Sequence, residues 1–246
     1  MNRKQRRAAS KQGGSPPAAA VPGVTPGAGP VDQALALAVQ HHQAGRLAEA
    51  EQGYKDVLRA EPSNVLALTF YGVLAHQVGN HEIAARVLGA AIELKPDHAE
   101  AHAALGVALQ GLGGLDEAVA SFERALALRP DLIDAHANLG NVLQIQGKLE
   151  DATQHYLFVA ARRPDIAGIH SNLGIVFHAT GKLEAAVESF ERALKLKPDL
   201  VEGHTNLALV LMLLGRVDDA IAHYHTALGL RPDLPGIYAN LGMALQ

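Results

Sequence analysis

From residue 31 onward the chain repeats one pattern of apolar and polar positions. Small or apolar side chains recur at steps of three and four, as in Leu105, Gly106 and Leu109, and a second such stripe follows at Leu115, Ala118, Phe122 and Ala125. This spacing matches the helical turn and predicts two amphipathic helices, each about 14 residues and about 21 Å long. Gly113 separates the stripes and suits the left-handed residue that ends a helix. Pro130 closes the second helix, because it lacks a backbone donor and disfavours helix in the residue before it. The pattern then restarts. Pro62, Pro96, Pro130, Pro164, Pro198 and Pro232 stand 34 residues apart, and Gly45, Gly79, Gly113, Gly147, Gly181 and Gly215 keep the same register. So do Ala50, Ala84, Ala118, Ala152, Ala186 and Ala220. A fixed period of this length is the mark of a repeat architecture. It divides the chain into a lead (1–30), six units (31–64, 65–98, 99–132, 133–166, 167–200 and 201–234) and a half repeat (235–246).

Numbered within the period, a Gly or Ala at position 8 faces the Ala at position 20, so the paired helices approach closely. Rings at position 24 (Tyr54, Phe122, Tyr156, Phe190, Tyr224) fill the space beside them. One unit alone cannot cover both faces of its second helix, so stacked neighbours must supply the missing wall, and the fold class is an all-α solenoid. The pattern resembles the tetratricopeptide repeat: a small residue at 8, Ala at 20, an aromatic at 24, Ala at 27 and Pro at 32, across residues 31–246. The resemblance implies a right-handed superhelix of helix-turn-helix repeats, whose first helices line a concave groove that receives extended peptides or a partner helix. Two features depart from the family. His102, His136, His170 and His204 replace its frequent Trp at position 4, and the second repeat carries Tyr71, His81 and Leu88 at positions 7, 17 and 24.

At about 100° per residue, position 6 points about 200° away from position 8, so positions 2, 5, 6, 9, 12 and 13 form the outward face of the first helix. Position 6 reads Ala36, Phe70 and Ala104, and then Asn138, Asn172, Asn206 and Asn240. Asn is several tenths of a kcal/mol poorer than Ala in a helix, and its carboxamide both donates and accepts, which suits pairing with an extended backbone. The segments 135–144, 169–177 and 237–245 are similar to the asparagine-ladder repeats of O-linked N-acetylglucosamine transferases. That resemblance implies that Asn138, Asn172, Asn206 and Asn240 hold a ligand backbone, with Asn141 and His178 adding contacts. The alternative is that duplication copied the Asn without a use for it.

Composition narrows the chemistry. Apolar residues are 48% of the chain and charged residues 19%, enough for a core, while aromatics are 4% and Trp is absent, which favours small interlocking helices over a β-sandwich. The absence of cysteine removes disulfides, iron–sulfur clusters and thiol nucleophiles. Residues 1–30 hold five bases (Arg3, Lys4, Arg6, Arg7, Lys11) and no acid, leaving 16 bases against 25 acids in the rest. Positions 5, 6, 9, 12 and 13 carry no Lys, Arg, Asp or Glu, which disfavours a carboxylate clamp and nucleic acid and points to a ligand of low or mildly basic charge. The four position-4 histidines stand one per layer, so they suit separate packing roles better than convergence on one metal ion. Neither the His81–Glu82 pair nor the Gly140–Lys148 stretch completes a zinc or phosphate motif. No cofactor, metal or catalytic set is expected.

The basic, Pro- and Gly-rich lead is expected to remain flexible and lacks the apolar run of a secretory signal. No run is long enough to span a bilayer, and the expected location is the cytoplasm. The half repeat has no charged side chain, although terminal repeats usually turn a polar face outward. Its three readings are a fragment, which is favoured, self-association through 235–246, or fraying. The functional expectation is therefore a non-enzymatic module that binds an extended peptide or protein segment. The alternative is the substrate-recruiting front of a glycosyltransferase.

Overall fold

The computed structural model describes residues 29–233 and 235–244, and these form thirteen α-helices and no strand. Nearly all of the expected lead, along with Leu245 and Gln246, lies outside the described residues. The chain divides between Pro130 and Asp131 into two compact units. The first holds α1 (Pro30–Gln43), α2 (Leu47–Ala60), α3 (Val65–Gln77), α4 (His81–Leu94), α5 (Ala99–Leu112) and α6 (Leu115–Leu128). The second holds α7 (Ile133–Ile145), α8 (Leu149–Arg162), α9 (Ala167–Ala179), α10 (Leu183–Leu196), α11 (Val201–Leu213), α12 (Val217–Leu230) and α13 (Pro235–Ala244). Within each unit consecutive helices pack as hairpins, and each second helix also packs on the first helix of the next hairpin, as α8 does on α9 and α10 on α11.

The turns within the hairpins are set by glycine. Gly45, Gly79, Gly113, Gly147, Gly181 and Gly215 are the residues with positive φ, from +73° to +85°. Beyond Gly147 the Lys148 amide donates back to the Leu143 carbonyl at 2.9 Å, and the Gly147 amide donates to Gln144 at 3.1 Å. This pair of bonds satisfies carbonyls that the end of α7 would otherwise leave open. Glycine takes this backbone conformation at no steric cost because it has no Cβ.

The core of each hairpin is a ring seated on a small residue. Tyr54, Phe122, Tyr156 and Phe190 are 0% exposed and Tyr224 is 1% exposed. In the second repeat Leu88 is equally buried and fills the place of the ring. The seat is tight: a Cβ built on Gly140 would stand 2.7 Å from Tyr156, and one on Gly174 would stand 2.6 Å from Phe190. Burying such a ring contributes about 1.5–3 kcal/mol. The buried stripe of the first helices is wider than the periodic one, because it also takes in positions 3 and 10. Ala135 and Ile169 are buried there, and so are Val142, Val176 and Val210. A first helix in a solenoid touches its own partner on one flank and the neighbouring hairpins on the other, so one apolar stripe does not suffice.

Candidate functional site

All four asparagines of the ladder fall in the second unit, one on each first helix: Asn138 on α7, Asn172 on α9, Asn206 on α11 and Asn240 on α13. Each is half-buried, so its amide is partly screened by the backbone beneath it and still reaches solvent. Ala137, Ser171 and Thr205 flank them at position 5, half-buried and small. Farther along the same face the polarity changes by layer: Asn141 and Gln144 on α7, Ile175 and His178 on α9, Leu209 and Met212 on α11. Leu209, Ile145 and Leu213 are exposed. The face therefore grades from carboxamide to hydrocarbon while staying free of Lys, Arg, Asp and Glu at positions 5, 6, 9, 12 and 13.

The amides are not equivalent. Asn172 Nδ2 donates to Asn141 Oδ1 at 2.9 Å, joining α9 to α7. Behind them the Tyr156 hydroxyl, on α8, reaches Asn141 Oδ1 at 2.8 Å and Gln144 Oε1 at 2.7 Å. Burial pushes the Tyr156 phenol up, and the nearby Asn172 amide opposes that shift. A phenol so raised stays protonated and remains a donor. The Tyr224 phenol is also raised by burial, and the Asn240 amide opposes that shift. Asn206 has Phe190 in the place of a tyrosine and makes no side-chain hydrogen bond among the described residues; neither does Asn138. His178 is half-buried and likewise unbonded. Thus the structure brings Asn141 and Asn172 together, sets Asn240 near Tyr224, and leaves Asn138, Asn206 and His178 separate. Sequence reasoning took Tyr156 and Tyr224 as ring filler; the signal it passed over was Tyr, not Phe, at position 24 directly before an Asn-bearing helix.

Charge enters only at the rim. Glu202 at position 2 pairs with Arg231 at 3.3 Å, closing the two ends of one repeat, and Glu100 pairs with Arg129 in the same way in the first unit. In the repeat 133–166 the acid is Asp134, one methylene shorter, and Arg163 turns instead to Asp165, at 2.9 and 3.0 Å. Partial burial of the Asp134 carboxyl accordingly raises its pKa, with Arg163 only partly opposing.

The position-4 histidines act as braces. Nε2 of His102, His170 and His204 each donates at 3.0 Å to the carbonyl of Pro96, Pro164 and Pro198, fastening a first helix to the end of the preceding repeat. For His204 this assigns the proton to Nε2, so Nδ1 accepts from Nδ1–H of His223 at 2.9 Å. His136 and His155 form the matching pair at 2.8 Å. Burial and the neighbouring imidazole lower the pKa of both His155 and His223. Among the described residues no three His, Asp or Glu converge as a metal site, and no helix is long and apolar enough to cross a membrane.

Comparison with known proteins finds a repeat model that matches three stretches of the chain and several similar folds. Residues 111–147, 176–215 and 210–246 match the TPR (tetratricopeptide) repeat model. No curated protein sequence matches the chain. Among solved structures, the type IV pilus biogenesis factor PilW is similar over 86% of this chain and 98% of its own, at 21% identity and a TM-score of 0.76. YrrB, described as a TPR protein with an unusual peptide-binding site, is similar over 77% of this chain and 97% of its own, at 17% identity and a TM-score of 0.68. The APC/C hetero-tetramer Cut9–Hcn1 contains a chain similar over 88% of this one, at 20% identity and a TM-score of 0.73; the likeness spans 43% of that longer chain. At these identities the likeness carries the fold. None of these comparisons shows the narrower resemblance to glycosyltransferase repeats.

Proposed function

We propose that this chain of tetratricopeptide repeats is a protein-interaction module whose second unit holds an extended peptide segment of low charge along α7, α9, α11 and α13. The observation that carries this reading is the repeated half-buried carboxamide on a face whose positions 5, 6, 9, 12 and 13 carry no ionic side chain. An extended backbone offers alternating N–H and C=O groups whatever its side chains, and an amide answers either one. Half-burial strengthens each such bond by excluding competing water. The hydrocarbon of Leu209, Met212 and Leu213 adds apolar contact for one end of the ligand, and the missing Lys and Arg remove any grip on phosphate. The likeness in fold to YrrB, a TPR protein with a peptide-binding site of its own, accords with this reading.

The test is to select binders to the full chain from a phage-displayed library of random short peptides, then to measure their affinity by fluorescence anisotropy. The Asn138→Ala/Asn206→Ala variant removes the two amides that hold no internal bond, so its fold should be intact. Affinity at least about fivefold weaker is expected. Unchanged affinity in this variant and in Asn172→Ala and Asn240→Ala would remove the ladder from the mechanism.

A further inference from the structure

We infer that Asn141 and Asn172 together form a two-point clamp for a single residue of the bound backbone, and that Tyr156 is the residue that positions it. The inference rests on the peptide-binding reading above and deepens it. Asn141 Oδ1 is occupied, because it accepts from Asn172 Nδ2 at 2.9 Å and stands 2.8 Å from the Tyr156 hydroxyl. Asn172 Nδ2 is engaged by the same bond. Each amide therefore keeps one free half: Asn141 Nδ2 as donor and Asn172 Oδ1 as acceptor. Neither free atom is sealed from solvent. A residue in an extended chain can exchange both of its backbone bonds, N–H and C=O, with one partner edge. The N–H of such a residue donates to Asn172 Oδ1, and its C=O accepts from Asn141 Nδ2.

The bond between the amides keeps their free ends complementary. An isolated carboxamide can turn over and exchange its donor and acceptor ends. Here a turn of Asn141 alone would set its Nδ2 against Asn172 Nδ2, and a turn of Asn172 alone would set two oxygens against each other. One donor and one acceptor are therefore always presented side by side. Tyr156 holds the pair through Asn141: its hydroxyl stands 2.8 Å from Asn141 Oδ1 and 2.7 Å from Gln144 Oε1. The network orders both side chains before any ligand arrives, which lowers the ordering cost of binding. No other layer of the second unit repeats the arrangement. The place of Asn141 is taken by Ile175 in the layer before Asn206 and by Leu209 in the layer before Asn240, so those layers offer one amide and no partner. One ligand residue should therefore depend on its backbone N–H more than any other.

The experiment uses uncharged peptides selected on the full chain, with affinity read by anisotropy and folding by thermal melts. Asn141→Asp keeps the acceptor that Tyr156 and Asn172 need and replaces the free donor with a charged acceptor. It should bind about tenfold more weakly with the melt preserved. Tyr156→Phe has precedent in this core, since Phe122 and Phe190 fill the equivalent seats at 0% exposure, and it should bind about threefold more weakly. Methylating the peptide's backbone nitrogens one at a time should find one sensitive residue, and that sensitivity should vanish in Asn172→Ala, a coupling that simple loss of stability would not produce. Wild-type affinity in both Asn141→Asp and Tyr156→Phe, with Asn138→Ala/Asn206→Ala weakened, overturns the clamp and leaves the ladder standing. Wild-type affinity in every variant, or a library that yields no binder, overturns both.

Discussion

Replacing Gly174 by alanine sets two physical effects against each other within one helix. Alanine is the better helix former by about 0.8–1.0 kcal/mol, so propensity alone argues for stabilisation. The structure argues the reverse. A Cβ at this place would meet Phe190 Cε1, Cδ1 and Cζ at 2.6, 2.7 and 2.8 Å. The ring is 0% exposed and has no free space to retreat into, and overpacking of this kind costs about 1–3 kcal/mol. In the repeat 201–234 the same seat is filled by Ala208 opposite Tyr224, both buried, so a hairpin can be spaced to admit one methyl group. The cost at Gly174 should therefore fall toward the lower part of that range, about 1–2 kcal/mol, leaving a net destabilisation of up to about 1 kcal/mol once the helix propensity is subtracted. Gly168 lies in the same helix with nothing within 4 Å of a built Cβ. Its alanine variant should gain about 0.4–1 kcal/mol. Urea denaturation followed by far-ultraviolet circular dichroism gives both values, and hydrogen exchange localises the change to residues 167–196. If Gly174→Ala is stabilised as Gly168→Ala is, the tight seat under the ring is not a constraint and the packing argument fails.

Other outcomes follow from the braces and turns. The folded pKa values of His155 and His223 lie below the ordinary 6.5, so the unfolded chain binds protons more readily. Stability is then full above that value and falls as pH drops through the folded values. Urea midpoints measured from pH 8 to pH 5 should decline, and the decline should flatten in the His155→Gln/His223→Gln variant. Gly181, at φ +74°, should cost about 1 kcal/mol when changed to alanine, read as a lower melting midpoint, because the left-handed turn crowds any Cβ. Glu202→Gln should cost less than about 1 kcal/mol in the same assay, since its pairing with Arg231 is largely in water.

Local chemistry was fully legible in the chain. Gly at position 15 can be read as a left-handed stop, because the conformation belongs to one residue and needs no neighbour to specify it. The Ala at position 20 and the ring at position 24 declare the hairpin core for a similar reason: their periodicity reports which face must leave water. Position 10 was less legible, since Val142, Val176 and Val210 lie off the main stripe and are buried only because a further layer covers them.

The site divides in the same way. That four successive repeats present an asparagine was written in the sequence, and the exposure of that face follows from helical geometry alone. Which amides remain available was decided between layers. Asn172 is committed because α9 brings it within 2.9 Å of Asn141, whereas Asn206 finds no side-chain hydrogen bond among the described residues. The division between Pro130 and Asp131 also belongs to the tertiary structure, since the 34-residue register runs through it unchanged. A residue's type and period determine what it can offer, but a hydrogen bond consumes that offer only when the packing of separate helices sets donor and acceptor at bonding distance.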